Sequence, residues 1–190
     1  LAQTGFSVIT GATNHCFDKG ETGILDTCRY WREHYPEITT LGIHDSQEDA
    51  QTLRVVEKNG IRIAMLNFTY GLNNSMPEKR WMVDMLSSTD TVCGRIAQAK
   101  QEADFVIVFP HWGTEDELSP DESQLRWAQE MADAGADLIE LGIPFSDPTA
   151  EGPVIQAANI RALSGGVTTD KVFEMVEKIR KNSSIPMVFM

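Results

Sequence analysis

The chain has 190 residues, of which 42% are hydrophobic, and a formal net charge of −12. This length suits one globular domain of about 100 to 200 residues, or one domain and a fragment, and is short for two. Because lysines and arginines are not clustered and no apolar run approaches roughly 18 residues, neither nucleic-acid binding nor a membrane span is expected.

Apolar runs alternate with helical segments, which is the pattern of α/β proteins. In the first half the pattern predicts strands at 6–10, 40–43, 53–58 and 61–68, helices at 23–34 and 90–102, and a polar loop at 73–77. Asn59-Gly60 lies between the third and fourth strands and tolerates the positive φ of a two-residue turn. These two strands are therefore predicted to form a β-hairpin.

In the second half, a strand at 105–109 precedes a helix that Ser119 caps, with Pro120 at its first position, and that continues to about Ala134. Further along, the pattern predicts a strand at 138–141, a loop at 142–153, helices to 163 and at 169–181, and a strand at 187–190. We predict a mostly parallel sheet, and we expect the first unit to begin upstream of Leu1.

Polar residues with metal-binding or acid–base chemistry follow two strands. Asn14 and His15 come after the first strand, and His111 comes after the strand at 105–109. Loops at the carboxyl ends of strands converge on the binding crevice of α/β sheets. Amide oxygen and imidazole nitrogen are ligands for Mn, Zn or Fe, and a free imidazole can protonate a leaving group. The spacing alone favours a simpler interpretation, in which these side chains only cap loops.

Residues 1 to about 137 resemble the CapA family of bacterial capsule (poly-γ-glutamate) synthesis proteins, which have a metallophosphoesterase-like fold. The resemblance is carried by Gly5 to His15 followed by Asp18-Lys19-Gly20, by Asn59 to Ala64, by Ala103 to Val108, and by His111-Trp112-Gly113. It implies that Asn14 and His111 bind a divalent metal and that His15 acts near the leaving group.

Other motifs of that family are missing from the sequence. Its Gly-Asp and Asn-Glu motifs are expected upstream of Leu1, and Glu140-Leu141-Gly142-Ile143-Pro144 stands where a Gly-x-His-Pro-His motif is expected. A two-metal site needs ligands from several loops, so we expect an incomplete site. His34 and His44 do not fit the motif and are interpreted as surface or satisfied polar residues, and residues 115–117 as a solvated acidic loop.

Residues from about 134 to 190 resemble the tryptophan synthase α-chain family. The matching stretches are Gly135 to Pro148 and Glu151 to Gln156. The family is a β/α-barrel lyase that cleaves indole-3-glycerol phosphate to indole and glyceraldehyde 3-phosphate. The resemblance implies that Glu140 is the general acid/base and that Glu151 replaces the second catalytic carboxylate, normally Asp, with a side chain one methylene longer. Only the second and third of eight barrel strands are represented.

The chain is accordingly interpreted as two fused units, residues 1–135 and 136–190. The fold class is α/β with a mostly parallel sheet: a partial metallophosphoesterase-like layered sandwich that runs into a two-strand fragment of a β/α barrel. Asp133 to Asp137 fits both families. A helix-to-strand step can therefore form there and extend the first sheet with the strands of the second unit.

Three hypotheses about function remain open. The first is a metal-dependent, CapA-like phosphoesterase that acts on a small molecule or capsule polymer outside the cytoplasm. The second is the cytoplasmic lyase, which needs no metal and pairs with a tryptophan synthase β chain. The third is a non-catalytic α/β scaffold, which physical reasoning favours because both sites are partial.

Overall fold

A computed structural model describes residues 6–114, 120–141, 164, 166, 168–181 and 187–189. The strands of this part of the chain are β1 (Val8–Thr10), β2 (Thr39–Leu41), β3 (Arg54–Lys58), β4 (Ile61–Thr69), β5 (Phe105–His111), β6 (Leu138–Leu141) and β7 (Met187–Phe189). The helices are α1 (Gly20–His34), α2 (Gln47–Gln51), α3 (Thr89–Glu102), α4 (Glu122–Asp133) and α5 (Thr169–Arg180), with a 3₁₀ turn at Arg80–Met82.

The strands form two sheets that are mostly parallel, so the predicted fold class is confirmed. β1 and β2 make a small parallel sheet, and the larger sheet has the order β3-β4-β5-β6-β7. Only β3 and β4 run antiparallel in the larger sheet. The strands that the structure describes do not close into a barrel.

The predicted hairpin is confirmed. β3 and β4 pair in register from Arg54 opposite Met65 to Lys58 opposite Ile61. Asn59 and Gly60 both have positive φ, 54° and 78°. This is the backbone that a tight two-residue hairpin turn requires, and asparagine and glycine adopt it at the lowest steric cost.

The larger sheet crosses the predicted boundary between the two units. β5 belongs to the first unit, and its Ile107 and Val108 pair with Leu138 and Ile139 of β6. β7 then pairs with the other edge of β6. The strands of the second unit therefore extend the first unit's sheet, as the shared segment 133–137 predicts, although the division into domains at residue 135 stays a prediction.

One face of the larger sheet packs against α3 and α4 to form the main core. Its buried members are Ala64, Leu66 and Phe68 of β4, Val92, Ile96 and Ala99 of α3, Val106 and Val108 of β5, Trp127 and Met131 of α4, and Ala136 and Ile139 at β6. Burial of this much apolar surface is the main force that holds the layers together. Ile139 is only 3% exposed, so the second unit contributes to the core of the first.

Helix α4 begins later than its sequence predicts. Asp121 is the N-cap: its Oδ1 accepts a hydrogen bond from the Gln124 backbone at 2.8 Å, while Gln124 Oε1 accepts one from the Asp121 backbone at 3.0 Å. Placing Pro120 at the first helical position was wrong, because this reciprocal capping box fixes the start after Asp121. Residues 115–119, 142–163 and 182–186 lie outside the described residues, and with them the predicted acidic loop, the Ser119 cap and the loop at 142–153.

A buried ion network surrounds His44, which follows β2. His44 is one of the two histidines that were interpreted from the sequence as surface or satisfied polar residues. His34 is exposed on α1, but His44 is only 3% exposed. The His44 ring nitrogens lie 3.3 Å from Asp49 Oδ2 and 3.1 Å from Asp84 Oδ2, although neither is aligned for a hydrogen bond. His44 is therefore a buried ion-pair residue, not a surface one.

Arginines complete the network, because Arg54 pairs with Asp49 and Arg95 pairs with Asp84. Burial alone lowers the pKa of His44, but the contacts with Asp49 and Asp84 outweigh burial and raise that pKa above its usual value. Burial likewise raises the pKa of Asp49, and the contacts with His44 and Arg54 reverse this and hold the pKa well below its usual range. The contacts thus favour the charged forms of His44 and Asp49.

Candidate functional site

The structure brings together two of the predicted site residues from distant parts of the sequence. Asn14 lies after β1 and His111 is the last residue of β5, and their Oδ1 and Nε2 atoms are 2.9 Å apart. Asn14 Nδ2 donates to Asn73 Oδ1 at 3.0 Å, which fixes the orientation of the Asn14 amide with its oxygen toward His111. The carboxyl ends of β1 and β5 therefore converge, as the strand-end rule predicts.

His15 lies beside this pair and contacts a carboxylate. Its Nδ1 is 2.7 Å from Asp18 Oδ2, and both side chains are well exposed. The Asn73 amide nitrogen lies 3.2 Å from each ring nitrogen of His15. A carboxylate that accepts Nδ1–H orients the ring, which is the arrangement of a general acid or base.

Sequence reasoning missed the role of Asn73, which links the two halves of the site. Besides its side-chain contacts with Asn14 and His15, its backbone nitrogen donates to the Asn14 carbonyl at 2.9 Å. The segment at 73–77 was predicted only as a polar loop. Because β4 runs parallel to its neighbour β5, the residues that follow the two strands lie at the same edge of the sheet. The position of Asn73 shortly after β4 was therefore the signal that could have placed it near His111.

A buried asparagine on β4 holds the Asn14 loop against the larger sheet. Asn67 is 2% exposed. Its Oδ1 accepts from the Ala12 backbone at 2.7 Å and its Nδ2 donates to the Phe109 carbonyl at 2.8 Å. Gly42 makes this approach possible: it has φ +78°, and a Cβ there would lie 2.5 Å from Asn67 Oδ1. Any larger residue at this position would displace the asparagine that aligns the two sheets.

The surroundings of His111 favour its neutral form. Burial lowers the pKa of His111, and the nearby His15 lowers it further. Because the Asn14 oxygen can only accept, neutral His111 carries its proton on Nε2 while it contacts Asn14. In this contact the neutral ring donates through Nε2, and its lone pair lies on Nδ1.

The described residues do not supply the ligands of the two-metal centre that the resemblance implies. At 2.9 Å apart, Asn14 Oδ1 and His111 Nε2 are close enough to share one ion at bond lengths of about 2.1 Å. Among the described residues, however, no group of three or more His, Cys, Asp or Glu side chains is arranged to hold a metal. Asn14 and His111 are thus two adjacent polar side chains, short of the ligand set of such a centre.

The predicted lyase residue Glu140 lies on the strand next to β5, and no hydrogen bond or ion pair between it and the other predicted site residues is found in the part of the chain that the structure describes. Glu140 is on β6, where it pairs with Val188 of β7. Burial raises the pKa of Glu140, as predicted for a carboxyl at the end of an apolar strand. Glu151 lies outside the described residues.

Two family models match the chain, and both agree with the resemblances. The model described as "Bacterial capsule synthesis protein PGA_cap" matches residues 1–142. The model described as "Tryptophan synthase alpha chain" matches residues 97–190. The two matches overlap from α3 to the end of β6, which includes the segment predicted to fit both families, so the chain is a chimera of two families.

Curated tryptophan synthase α chains match about a third of this chain. A tryptophan synthase α chain of Lacticaseibacillus casei is 57% identical over 60 residues, which are 32% of this chain and 23% of that protein. One of Methanothermobacter thermautotrophicus is 48% identical over 66 residues, 35% of this chain and 24% of that protein. The chain thus spans about a quarter of the length of these relatives.

Among solved structures, the α subunit of tryptophan synthase from Legionella pneumophila is similar, with 34% identity and a TM-score of 0.35 over 54% of this chain and 37% of that chain.

None of the helices within the described ranges is long and apolar enough to cross a membrane.

Proposed function

Since the chain belongs to the bacterial capsule synthesis protein PGA_cap family, we propose that it cleaves a phosphoester in capsule or poly-γ-glutamate synthesis, outside the cytoplasm. The substrate is a capsule polymer or a small-molecule precursor. The observation that carries the proposal is the convergence of Asn14, His15 and His111 at the carboxyl ends of β1 and β5. These residues are separated by up to 97 positions in sequence, so only the fold brings them together.

In this proposal His15 donates a proton to the leaving oxygen. Asp18 accepts the Nδ1 proton, so the opposite nitrogen, Nε2, is the atom that exchanges a proton with the substrate. Asn73 Nδ2, which can only donate, lies 3.2 Å from Nε2, so Nε2 accepts in this arrangement and must give up that contact to carry the proton for the leaving oxygen. Positioning of the ring by Asp18 fixes the distance over which the proton moves.

Asn14 and His111 hold the phosphoryl side of the substrate, directly or with one divalent ion. A bound Mn, Zn or Fe ion supplies Lewis-acid polarisation of a phosphoryl oxygen. Asn14 Oδ1 and His111 Nε2 would be its donors, which requires the proton of the neutral His111 ring to move from Nε2 to Nδ1; the lowered pKa of His111 favours that neutral ring. The contact between the two side chains holds them side by side in the site before a ligand arrives.

Hydrolysis of bis(p-nitrophenyl) phosphate, with thermal unfolding in Mn²⁺ or Zn²⁺, tests this function. We expect turnover that His15→Ala lowers about a hundredfold, because the leaving group loses its proton donor. His111→Ala is expected to abolish the metal-dependent rise in stability, which is about 2.7 kcal/mol at 100 times the dissociation constant for a ligand that binds only the native state.

His34→Ala is the matched control, because His34 is an exposed histidine on α1 outside the site. Equal loss of turnover in His34→Ala and His15→Ala would contradict the assignment of His15. A folded chain with neither turnover nor a metal-dependent shift would exclude the phosphoesterase and leave the lyase and the non-catalytic scaffold.

A second candidate is the lyase reaction in the cytoplasm with a tryptophan synthase β chain, which the raised pKa of Glu140 favours. It predicts release of indole from indole-3-glycerol phosphate, lost in Glu140→Gln and retained in Glu130→Gln on α4. Chromatographic detection of indole, with and without added β chain, checks it. Absence of indole in both conditions would exclude this candidate.

A further inference from the structure

A cleft of about 570 Å³ adjoins the proposed catalytic site. Its walls come from the residues after β4, the segment before α3, the end of β5 and the first turns of α4. Tyr70 lines the cleft, and its ring stacks on that of His111 with the centroids 6.1 Å apart. A molecule in the cleft would therefore lie next to the phosphoester on which His15 and His111 are proposed to act.

Three aromatic side chains of the described residues line the cleft. They are Tyr70, Trp112 and Trp127, and Tyr70 is 47% exposed. Such rings offer flat apolar faces together with a polar hydroxyl or N–H at the edge. They suit a ligand that has an apolar ring face and polar groups around its rim.

The charged side chains of the cleft already have partners. Asp121 uses one carboxylate oxygen for the Gln124 backbone and the other for the Thr114 hydroxyl, at 2.8 and 2.9 Å. Arg126 lies over the Trp127 ring and 3.6 Å from Glu130. Arg126 is the one cation among the described lining residues, so an anionic ligand would have to compete with Glu130 for it. The net charge of the chain, −12, also disfavours an anionic ligand.

Neutral polar groups of the cleft remain available. The hydroxyls of Ser87, Ser123 and Tyr70 and the indole N–H of Trp112 form no hydrogen bond with any residue that the structure describes. Hydroxyl groups both donate and accept, whereas the indole only donates. This combination matches the hydroxyls of a sugar better than a carboxylate, which needs donors alone.

We propose that the cleft binds a neutral hexose unit next to the scissile phosphoester, so that the substrate is a phosphorylated polysaccharide. The sugar ring lies against Tyr70 and Trp112, and its hydroxyls bond Ser87 and Ser123. The volume is within the range of about 300 to 1,000 Å³ that is usual for small-molecule sites. The inference rests on the proposed function for the phosphoester, but binding of the sugar does not depend on metal or on turnover.

Calorimetric titration of the full chain in EDTA tests the inference with cellotriose, maltotriose and chitotriose, and with tri-γ-glutamate as the anionic comparison. We expect at least one neutral trisaccharide to bind with a Kd below about 1 mM, and tri-γ-glutamate to bind at least tenfold more weakly. Ser123→Leu places a branched apolar side chain in the cleft and is expected to weaken sugar binding at least tenfold. Ser7→Leu, at an exposed serine outside the cleft, is expected to leave binding within about twofold.

Three results would overturn the inference. The first is that no trisaccharide binds at 10 times the expected Kd of about 1 mM. The others are that tri-γ-glutamate binds more tightly than every trisaccharide, or that Ser123→Leu and Ser7→Leu lose sugar binding equally. Circular dichroism of both variants verifies that they are folded. Because bis(p-nitrophenyl) phosphate contains no sugar and the titration contains no metal, failure of the sugar site is distinguishable from failure of the phosphoesterase.

Discussion

Replacing Asp84 with alanine is expected to lower the free energy of unfolding by about 3 kcal/mol. Asp84 is 12% exposed in its side chain and pairs with both His44 and Arg95. Removing one partner of a buried ion pair leaves the others without compensation, which costs about 3 to 5 kcal/mol. The lower end applies because His44 keeps its contact with Asp49 and Arg95 is 24% exposed. Chemical denaturation at pH 7 measures the loss.

Asp26→Ala is the matched control for this prediction. Asp26 also pairs with an arginine, Arg29 at 3.2 Å, but both side chains are about 60% exposed. Exposed pairs contribute only about 0 to 1 kcal/mol because water and salt screen them. Should Asp84→Ala lose no more free energy than Asp26→Ala, the network around His44 does not stabilise the fold.

Replacing Ile139 with alanine is expected to lower the free energy of unfolding by about 3 kcal/mol. The side chain is 3% exposed and fills the core between the larger sheet and the helices α3 and α4. Truncating a buried isoleucine to alanine typically costs about 2 to 5 kcal/mol, since apolar contact is lost and a cavity remains. The result tests whether the second unit stabilises the first, because Ile139 pairs with Val108 across the junction.

Ile61→Ala provides the comparison at an exposed site. Ile61 is also in a strand, the first residue of β4, but is 51% exposed. We expect this variant to lose less than about 1 kcal/mol in the same denaturation experiment. Similar losses in the two variants would show that β6 is not packed into the core in solution.

Much of the secondary structure was predictable because its signals are local. Asn59-Gly60 specifies a hairpin through its backbone preferences alone, and the observed turn agrees. The strand Leu138–Leu141 was predicted with its observed bounds, since a short apolar run follows Gly135 and ends before another glycine. The start of α4 was less accessible, because Ser119 and Asp121 are both competent caps and only the hydrogen bonds of Gln124 distinguish them.

The site was predictable in part. Asn14 and His111 were chosen because both follow strands, and the structure places them in contact. Asn67 and Asn73, which hold the site together, have no sequence signal comparable to a motif. Each acts through a partner more than 40 residues away, and such pairings depend on the register of β4 with β5 and on how the two sheets stack.

The sequence by itself determined the two family resemblances, the α/β class, the hairpin and the candidate residues Asn14, His15 and His111, because each depends on residue types and short spacings. Only the tertiary structure decided that β6 extends the sheet of the first unit, that His44 is buried between two carboxylates, and that a cleft with neutral polar groups adjoins His111. The physical reason is that burial and pairing depend on which distant segments the fold brings into contact. A histidine after a short strand looks the same in sequence whether it faces water or two aspartates.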